Sequence, residues 1–341
     1  MDAIAVHGVT GSPQSSPRQP SPLQRGVVLG SDTTRLGDDF HLATLLGATR
    51  VLIDVPWAEM QPRGGMLDGD VIEATQRTLE LARDAGLDPW CRLLQPSLPH
   101  WFDNEGGFAD ARMAGRHWPR WVEAVADELG DLVAGWVPFD EPYALAAVLS
   151  PGAARQHGDL LDTLVVAWRD AWRILRGGPP VATGLDVAMV RPANDHPKVV
   201  AQARRTDQLR WGVWLDGLTT GNLSIPGRAD RELPDLAGAC DIVGLAITPA
   251  VEPTDLEAVL FRAAEMAPDR PLALTFRATG TTDALRCTSI EAMWRSVHRS
   301  SDELRLQSVL ITPFIDTDGS RNGLVTRERE PKDSAHSFFQ S

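Results

Sequence analysis

The sequence has 341 residues, 43% of them apolar, and a formal net charge of −13. That size and apolar content allow a large buried core, and a β/α barrel of this length is often a single unit. A surface so acidic argues against a nucleic-acid groove or an anionic membrane as the main partner.

The three cysteines, Cys91, Cys240 and Cys287, form no C-x-x-C pair and are expected as small buried side chains, not as a disulfide framework. None of the eight histidines stands in an H-x-x-x-H spacing, so neither metal nor other cofactor is expected. There is no run of about 18 apolar residues to span a membrane. Residues 1–10 lack the basic-then-apolar order of a secretory signal. A cytoplasmic location is therefore expected, with a small molecule as partner and neither nucleic acid nor membrane.

In chain order, residues 11–25 read GSPQSSPRQPSPLQR, too rich in Pro, Ser and Gln to pack, and residues 1–25 are expected to be a flexible leader. Residues 26–341 then alternate short apolar runs with helical patterns. The runs are GVVLG (26–30), RVLIDV (50–55), LDPWCRLL (87–94), LVAGWVPF (132–139), PVATGLD (180–186), DIVGLAI (241–247), PLALTF (271–276) and SVLITPF (308–314). Thr254–Glu257 and Thr288–Glu291 have the spacing of capping boxes, and Gly86 and Gly130 stand where helix C-caps are expected. Eight β-then-α units with strands too apolar to face water predict a closed (β/α)8 TIM barrel with trimmed loops. A doubly wound open sheet is the alternative, but no glycine-rich phosphate loop follows the first strand.

Chemistry in such a barrel sits at the C-terminal ends of the strands. The polar residues there are Asp32, Asp54, Gln95, Asp140, Glu141, Asp186, Arg277 and Asp316. Asp140-Glu141-Pro142 follows the strand GWVPF at once, where proline fixes the turn and the apolar rim strips water from the carboxyl. Glu141 fits a general acid there, and equally a helix cap or the partner of an arginine. Trp57 and Trp101 lie near strand tops, where they could stack on a ligand ring; most other tryptophans, Trp121, Trp168, Trp172 and Trp294 among them, fall on helical faces and read as core.

The phrase GWVPFDEP resembles the signature of glycoside hydrolase family 1, in which a tryptophan-containing strand ends in Asn-Glu-Pro. Other segments resemble the family in order: RVLIDVPWAEMQPRGG; LDPWCRLLQPSLPHWFDNEGGF; RTDQLRWGVWLDGLTTG, through Trp214, Leu215, Asp216 and Gly221; DIVGLAIT; and RNGLVTREREPKDSAHSFF. The resemblance spans roughly residues 26–339. It implies the barrel fold, and it implies that Glu141 is the acid/base and that Asp140 replaces the asparagine gripping the sugar 2-hydroxyl.

The departures fall on catalytic and sugar-binding positions. The Thr-Glu-Asn-Gly nucleophile motif is replaced by Leu274-Thr275-Phe276-Arg277-Ala278-Thr279-Gly280, with no carboxylate. The strand-2 arginine that steadies the nucleophile falls at Leu52, the histidine-tryptophan pair after strand 3 at Gln95-Pro96, and the Asn-x-Tyr after strand 6 at Ala246 and Thr248. The sugar platform after strand 8 is reduced to Thr312-Pro313-Phe314-Ile315-Asp316. Retaining hydrolysis needs two carboxyls about 5–5.5 Å apart, and inversion needs a base about 6.5–9.5 Å from the acid. Asp54, sharing the inward parity of Leu52, is the first candidate base.

The expectation is therefore an enzyme that uses Glu141, with Asp140 and Asp54, on a non-standard and relatively apolar substrate. Cyclisation, elimination, isomerisation or acetal/ketal chemistry on a natural product would fit. Asp32, Trp57, Gln95, Asp186, Phe276, Arg277 and Asp316 are expected around the ligand, with Leu52, Pro96, Phe276 and Phe314 making the mouth apolar. A non-catalytic binding or scaffold protein and an inverting or substrate-assisted β-glycosidase are the alternatives.

Overall fold

The computed structural model describes residues 22–30, 35–149 and 154–341. Among these the strands are β1 (Gln24–Leu29), β2 (Arg50–Asp54), β3 (Asp88–Arg92), β4 (Gly135–Val137), β5 (Asn222–Leu223), β6 (Arg231–Glu232), β7 (Val243–Ile247), β8 (Leu272–Arg277) and β9 (Leu306–Thr312). Seven of them form one parallel sheet in the order β4-β3-β2-β1-β9-β8-β7, and β5 and β6 make a small antiparallel pair apart from it. The expected leader boundary shifts slightly, since β1 begins at Gln24; residues 1–21 lie outside the described residues.

Residues 181–185 bridge the sheet's two edge strands. Val181 pairs with Trp136 of β4, Ala182 with Ile242, and Leu185 with Leu245 of β7, all in parallel sense. This is the eighth barrel segment, in the place expected for PVATGLD, but it is joined by single bridges and not by a ladder. The reason is local. Thr183 Oγ1 donates to Gly244 O at 2.9 Å and accepts from Gly244 N at 2.9 Å, so a side chain takes over backbone bonds. A Cβ at Gly244 would lie 1.8 Å from Thr183 O, which only glycine tolerates.

The core has two layers, as a barrel requires. Inside, Val28, Leu52, Trp90, Val137, Ala182, Ile242, Ala273 and Leu310 form one cluster, one side chain from each of eight barrel segments. Outside, alternate strand residues pack against the helices in a much larger cluster that holds Trp118, Trp121, Trp168, Trp211, Trp214 and Trp294.

The helices start and stop largely on short polar signals. Asp68 caps the helix Gly69–Asp84 through the N–H groups of Asp70 and Val71, and Asp110 caps Ala111–Leu129 through Arg112 and Met113. Gly86, at φ +85, follows the first of these as expected, whereas Gly130 stays right-handed. The two expected capping boxes do not form. The helix Leu256–Met266 has no side-chain cap, and Thr288 lies inside the helix Asp283–Ser300, whose cap is Thr282. Thr288 instead donates to Ala284 O within the helix, so it is no longer a terminus.

Candidate functional site

Four strand ends bring charged side chains to the barrel mouth. Asp54 closes β2 and Arg92 closes β3, in register with each other. Asp140 and Glu141 follow β4, and Arg277 closes β8. Arg92 Nε donates to Asp54 Oδ1 at 2.6 Å and Nη2 to Asp54 Oδ2 at 2.9 Å, while Nη1 donates to Asp140 Oδ2. Alongside, Arg277 Nη2 donates to Glu141 Oε1 at 2.7 Å. Three carboxylates and two guanidiniums thus form two hydrogen-bonded groups side by side, Asp54–Arg92–Asp140 and Glu141–Arg277.

Burial raises the Asp140 carboxyl above the usual carboxylate range; Arg92 opposes that, and the neighbouring charges of Glu141 and Asp54 add to it. Arg92 loses hydration too, but the two aspartates hold its guanidinium protonated well above the ordinary value. The Glu141–Arg277 pair is the accessible part: the glutamate side chain keeps 26% and the arginine 49% of its exposure.

The backbone around Glu141 is constrained. Glu141 has φ +46, the left-handed region, although it precedes a proline, a position that favours extended backbone. Glu141 N donates to Gly184 O at 2.6 Å, and Leu145 N donates to Glu141 O at 2.7 Å. A Cβ at Gly184 would sit 2.5 Å from Asp140 Cβ, so the fifth segment can approach this turn only as glycine.

Asp186 fixes the helix that follows, Pro142–Leu149, by accepting from Tyr143 N and Ala144 N, both at 2.9 Å. Arg210 comes from the π-helix Gln208–Asp216, stacks 4.1 Å over the Tyr143 ring and donates to Asp186 O at 2.5 Å. Burial pushes the Asp186 carboxyl up to about 6, against the pull of the two N–H groups and Arg210.

Several expected site residues stand elsewhere. Trp57 is 1% exposed, stacks on Trp121 at 5.4 Å and donates to Gln61, so it is core and not a ligand platform. Trp101 donates to Gln61 O and packs edge-on to Phe102 and His117. Phe276 and Phe314 belong to the outer core, and Leu52 lies in the inner layer, so they do not make the mouth apolar. Phe276 faces outward because its neighbours in β8, Ala273 and Arg277, take the inward parity.

Asp186 is the helix cap just described. Asp316 is clamped by Lys332 Nζ at 2.7 Å and Gly323 N at 2.8 Å, which ties down the loop after β9. Asp54 faces the mouth as expected, but both its oxygens are committed to Arg92, which leaves it poorly suited as a free base. Gln95 folds back to donate to Arg92 O at 2.9 Å. Asp32 lies outside the described residues. Arg92 escaped the sequence reading, although an arginine inside the apolar run LDPWCRLL, two residues from Trp90, was a signal of an inward ion pair.

Among the described residues no group of three or more His, Cys, Asp or Glu side chains could hold a metal ion, and no helix is long and apolar enough to cross a membrane.

Comparison with known proteins places the fold. The sequence profile "Glycosyl hydrolase family 1" matches residues 29–226. Human Klotho is 26% identical over 263 residues, 68% of this chain; the chain spans only about a quarter (26%) of the Klotho length. Thermostable beta-glucosidase B of Thermobispora bispora is 29% identical over 192 residues, 55% of this chain and 40% of that protein. Among solved structures, the family 1 beta-glucosidase from Exiguobacterium antarcticum B7 superposes with a TM-score of 0.81 at 15% identity, covering 94% of this chain and 97% of that one. At that identity the likeness is one of fold, and the fold is the TIM barrel.

Proposed function

The chain belongs to glycosyl hydrolase family 1, and from that premise we propose that its barrel mouth binds a polar small molecule at the Glu141–Arg277 pair without cleaving glycosides through a covalent intermediate. The observation that carries this reading is the 2.7 Å bond from Arg277 to Glu141. Retaining hydrolysis places a second carboxyl about 5–5.5 Å from the acid/base. Here a guanidinium from the end of β8 meets the glutamate instead.

The exchange is consistent electrostatically. Leu52 fills the inner layer where the resemblance puts the nucleophile's arginine, and the mouth's cations now come from β3 and β8. An unpaired charge in the barrel would cost several kcal/mol, so acid and base are expected to change together. Carboxylates accept from ligand hydroxyl or amino groups and guanidiniums donate to oxygens, so the mouth suits a polar ligand better than an apolar one.

A second reading keeps Glu141 as an acid/base on a non-standard substrate, in cyclisation, elimination, isomerisation or acetal/ketal chemistry. The left-handed backbone of Glu141 favours it, since strain of this kind collects at reacting positions.

The test is titration calorimetry with methyl β-D-glucoside, glucose and glucuronate on the wild type, Arg277→Ala and Glu141→Gln. Binding that each substitution weakens at least tenfold supports the mouth as the binding site. Binding unchanged in both variants, or none by any of the three ligands, counts against it. Conversion of a bound ligand by the wild type and not by Glu141→Gln would select the second reading.

A further inference from the structure

The end of the barrel opposite Glu141 carries a feature that the mouth does not explain. Arg50, at the start of β2, is 6% exposed and stacks 4.4 Å over the ring of Trp90, itself 3% exposed and part of the inner layer. Arg50 Nη1 donates to Ser308 Oγ at 3.0 Å, and Nη2 donates to Gln24 Oε1. Two donors of this stacked pair, Arg50 Nε and Trp90 Nε1, are buried and have no hydrogen-bond partner. Among the described residues no carboxylate comes within ion-pair distance of Arg50. Asp88 is reached only through Gln24, whose Nε2 donates to Asp88 Oδ2 at 3.2 Å.

We propose that this barrel floor is a binding site for a small monovalent anion of the size of chloride or bromide, held by Arg50 Nε and Trp90 Nε1 at the edge of the stacked pair.

Three physical points lead there. A buried guanidinium without a paired carboxylate is a costly arrangement, and a counter-ion removes the cost. The two orphaned groups are both donors, and they belong to stacked side chains. A water would leave its own hydrogens to place, whereas an anion accepts from both and donates nothing. Glycines close the packing round the pair, since a Cβ at Gly135 would lie 2.5 Å from the Trp90 ring and one at Gly26 2.5 Å from Arg50 O, so no bulky side chain from these two positions competes for the donors. Burial lowers the Arg50 pKa to about 10, with Asp88 opposing, as expected of a cation short of compensating charge. An anion here would tie together β1, β2, β3 and β9, the strands that supply Gln24, Arg50, Trp90 and Ser308.

The experiment is thermal unfolding of the whole chain in sodium chloride, sodium bromide and sodium gluconate at equal ionic strength, together with anomalous diffraction from crystals grown in bromide. The midpoint is expected to be higher by about 2–4 °C in about 200 mM chloride or bromide than in gluconate, as a ligand that binds only the folded state demands. The Arg50→Gln variant is expected to lose that difference, and bromide is expected as a single anomalous peak within contact of Arg50 and Trp90. Equal midpoints in all three salts, or a bromide-grown crystal with no peak at Arg50, would overturn the proposal and leave the two donors to internal water. If Arg50→Gln does not fold, the wild-type salt comparison and the bromide peak decide alone.

Discussion

Arg92 hydrogen-bonds aspartates from the strands on both sides of it, Asp54 from β2 and Asp140 after β4. All three side chains keep between 15% and 19% exposure, so the array is mostly but not wholly desolvated. Replacing Arg92 by methionine would strand two carboxylates side by side. A cost of about 3 kcal/mol is expected, towards the lower end for broken buried pairs because water still reaches the site; urea unfolding of Arg92→Met measures it.

Asp186 yields a prediction of opposite character. Burial raises its folded pKa to about 6, above the unfolded value of about 3.9. A carboxyl raised in this way contributes stability that is fully present below the unfolded pKa and lost as pH rises through the folded one. Relative to Asp186→Asn, the wild type should therefore lose stability between about pH 4 and pH 6, by at most about 1.4 kcal/mol per pH unit. Unfolding of both proteins across that range tests it, and a slope of the other sign would contradict the assignment.

At this scale the sequence was only partly readable. Asp140, Glu141 and Arg277 meet at the mouth, where strand-end position placed them. Trp57 and Asp186 also stand at strand ends, yet one fills the core and the other caps a helix, because which way a strand-end side chain turns depends on packing with neighbours distant in sequence.

At the scale of elements, the apolar runs located every barrel strand, because a strand buried on both faces must be apolar almost throughout. Where the reading fell short, a side chain or a glycine had intervened. The segment PVATGLD forms bridges and not a ladder because Thr183 bonds across to Gly244. Thr288 has capping-box spacing but lies one turn inside its helix, since Thr282 had already started it. The turn at Glu141 could not be read at all, as a glutamate before proline gives no warning of a positive φ.

That turn can be tested by substitution. Both Glu141→Ala and Glu141→Gly remove the ion pair with Arg277, but only glycine accepts the left-handed backbone freely. Glu141→Gly is expected to be more stable than Glu141→Ala by about 1 kcal/mol. Equal stabilities, measured by denaturant unfolding, would mean that the turn relaxes when the carboxylate is removed.

For the whole molecule, one side chain from each barrel segment fills the interior, and the helices pack round it, so the fold of the family is present. The order of short motifs along the chain made that fold legible, because closing a barrel constrains every strand together. Function was less legible, because a few substitutions at a barrel mouth can alter a reaction without disturbing the layers beneath.

Arg277, opposite Glu141, is proposed to close the covalent route. The most direct test is phenol release from aryl β-glucosides by the wild type beside Glu141→Gln. No release above buffer is expected from either protein. Release by the wild type that Glu141→Gln abolishes, with the β-configuration retained in the sugar product, would contradict that proposal and mean that another carboxylate does the nucleophile's work.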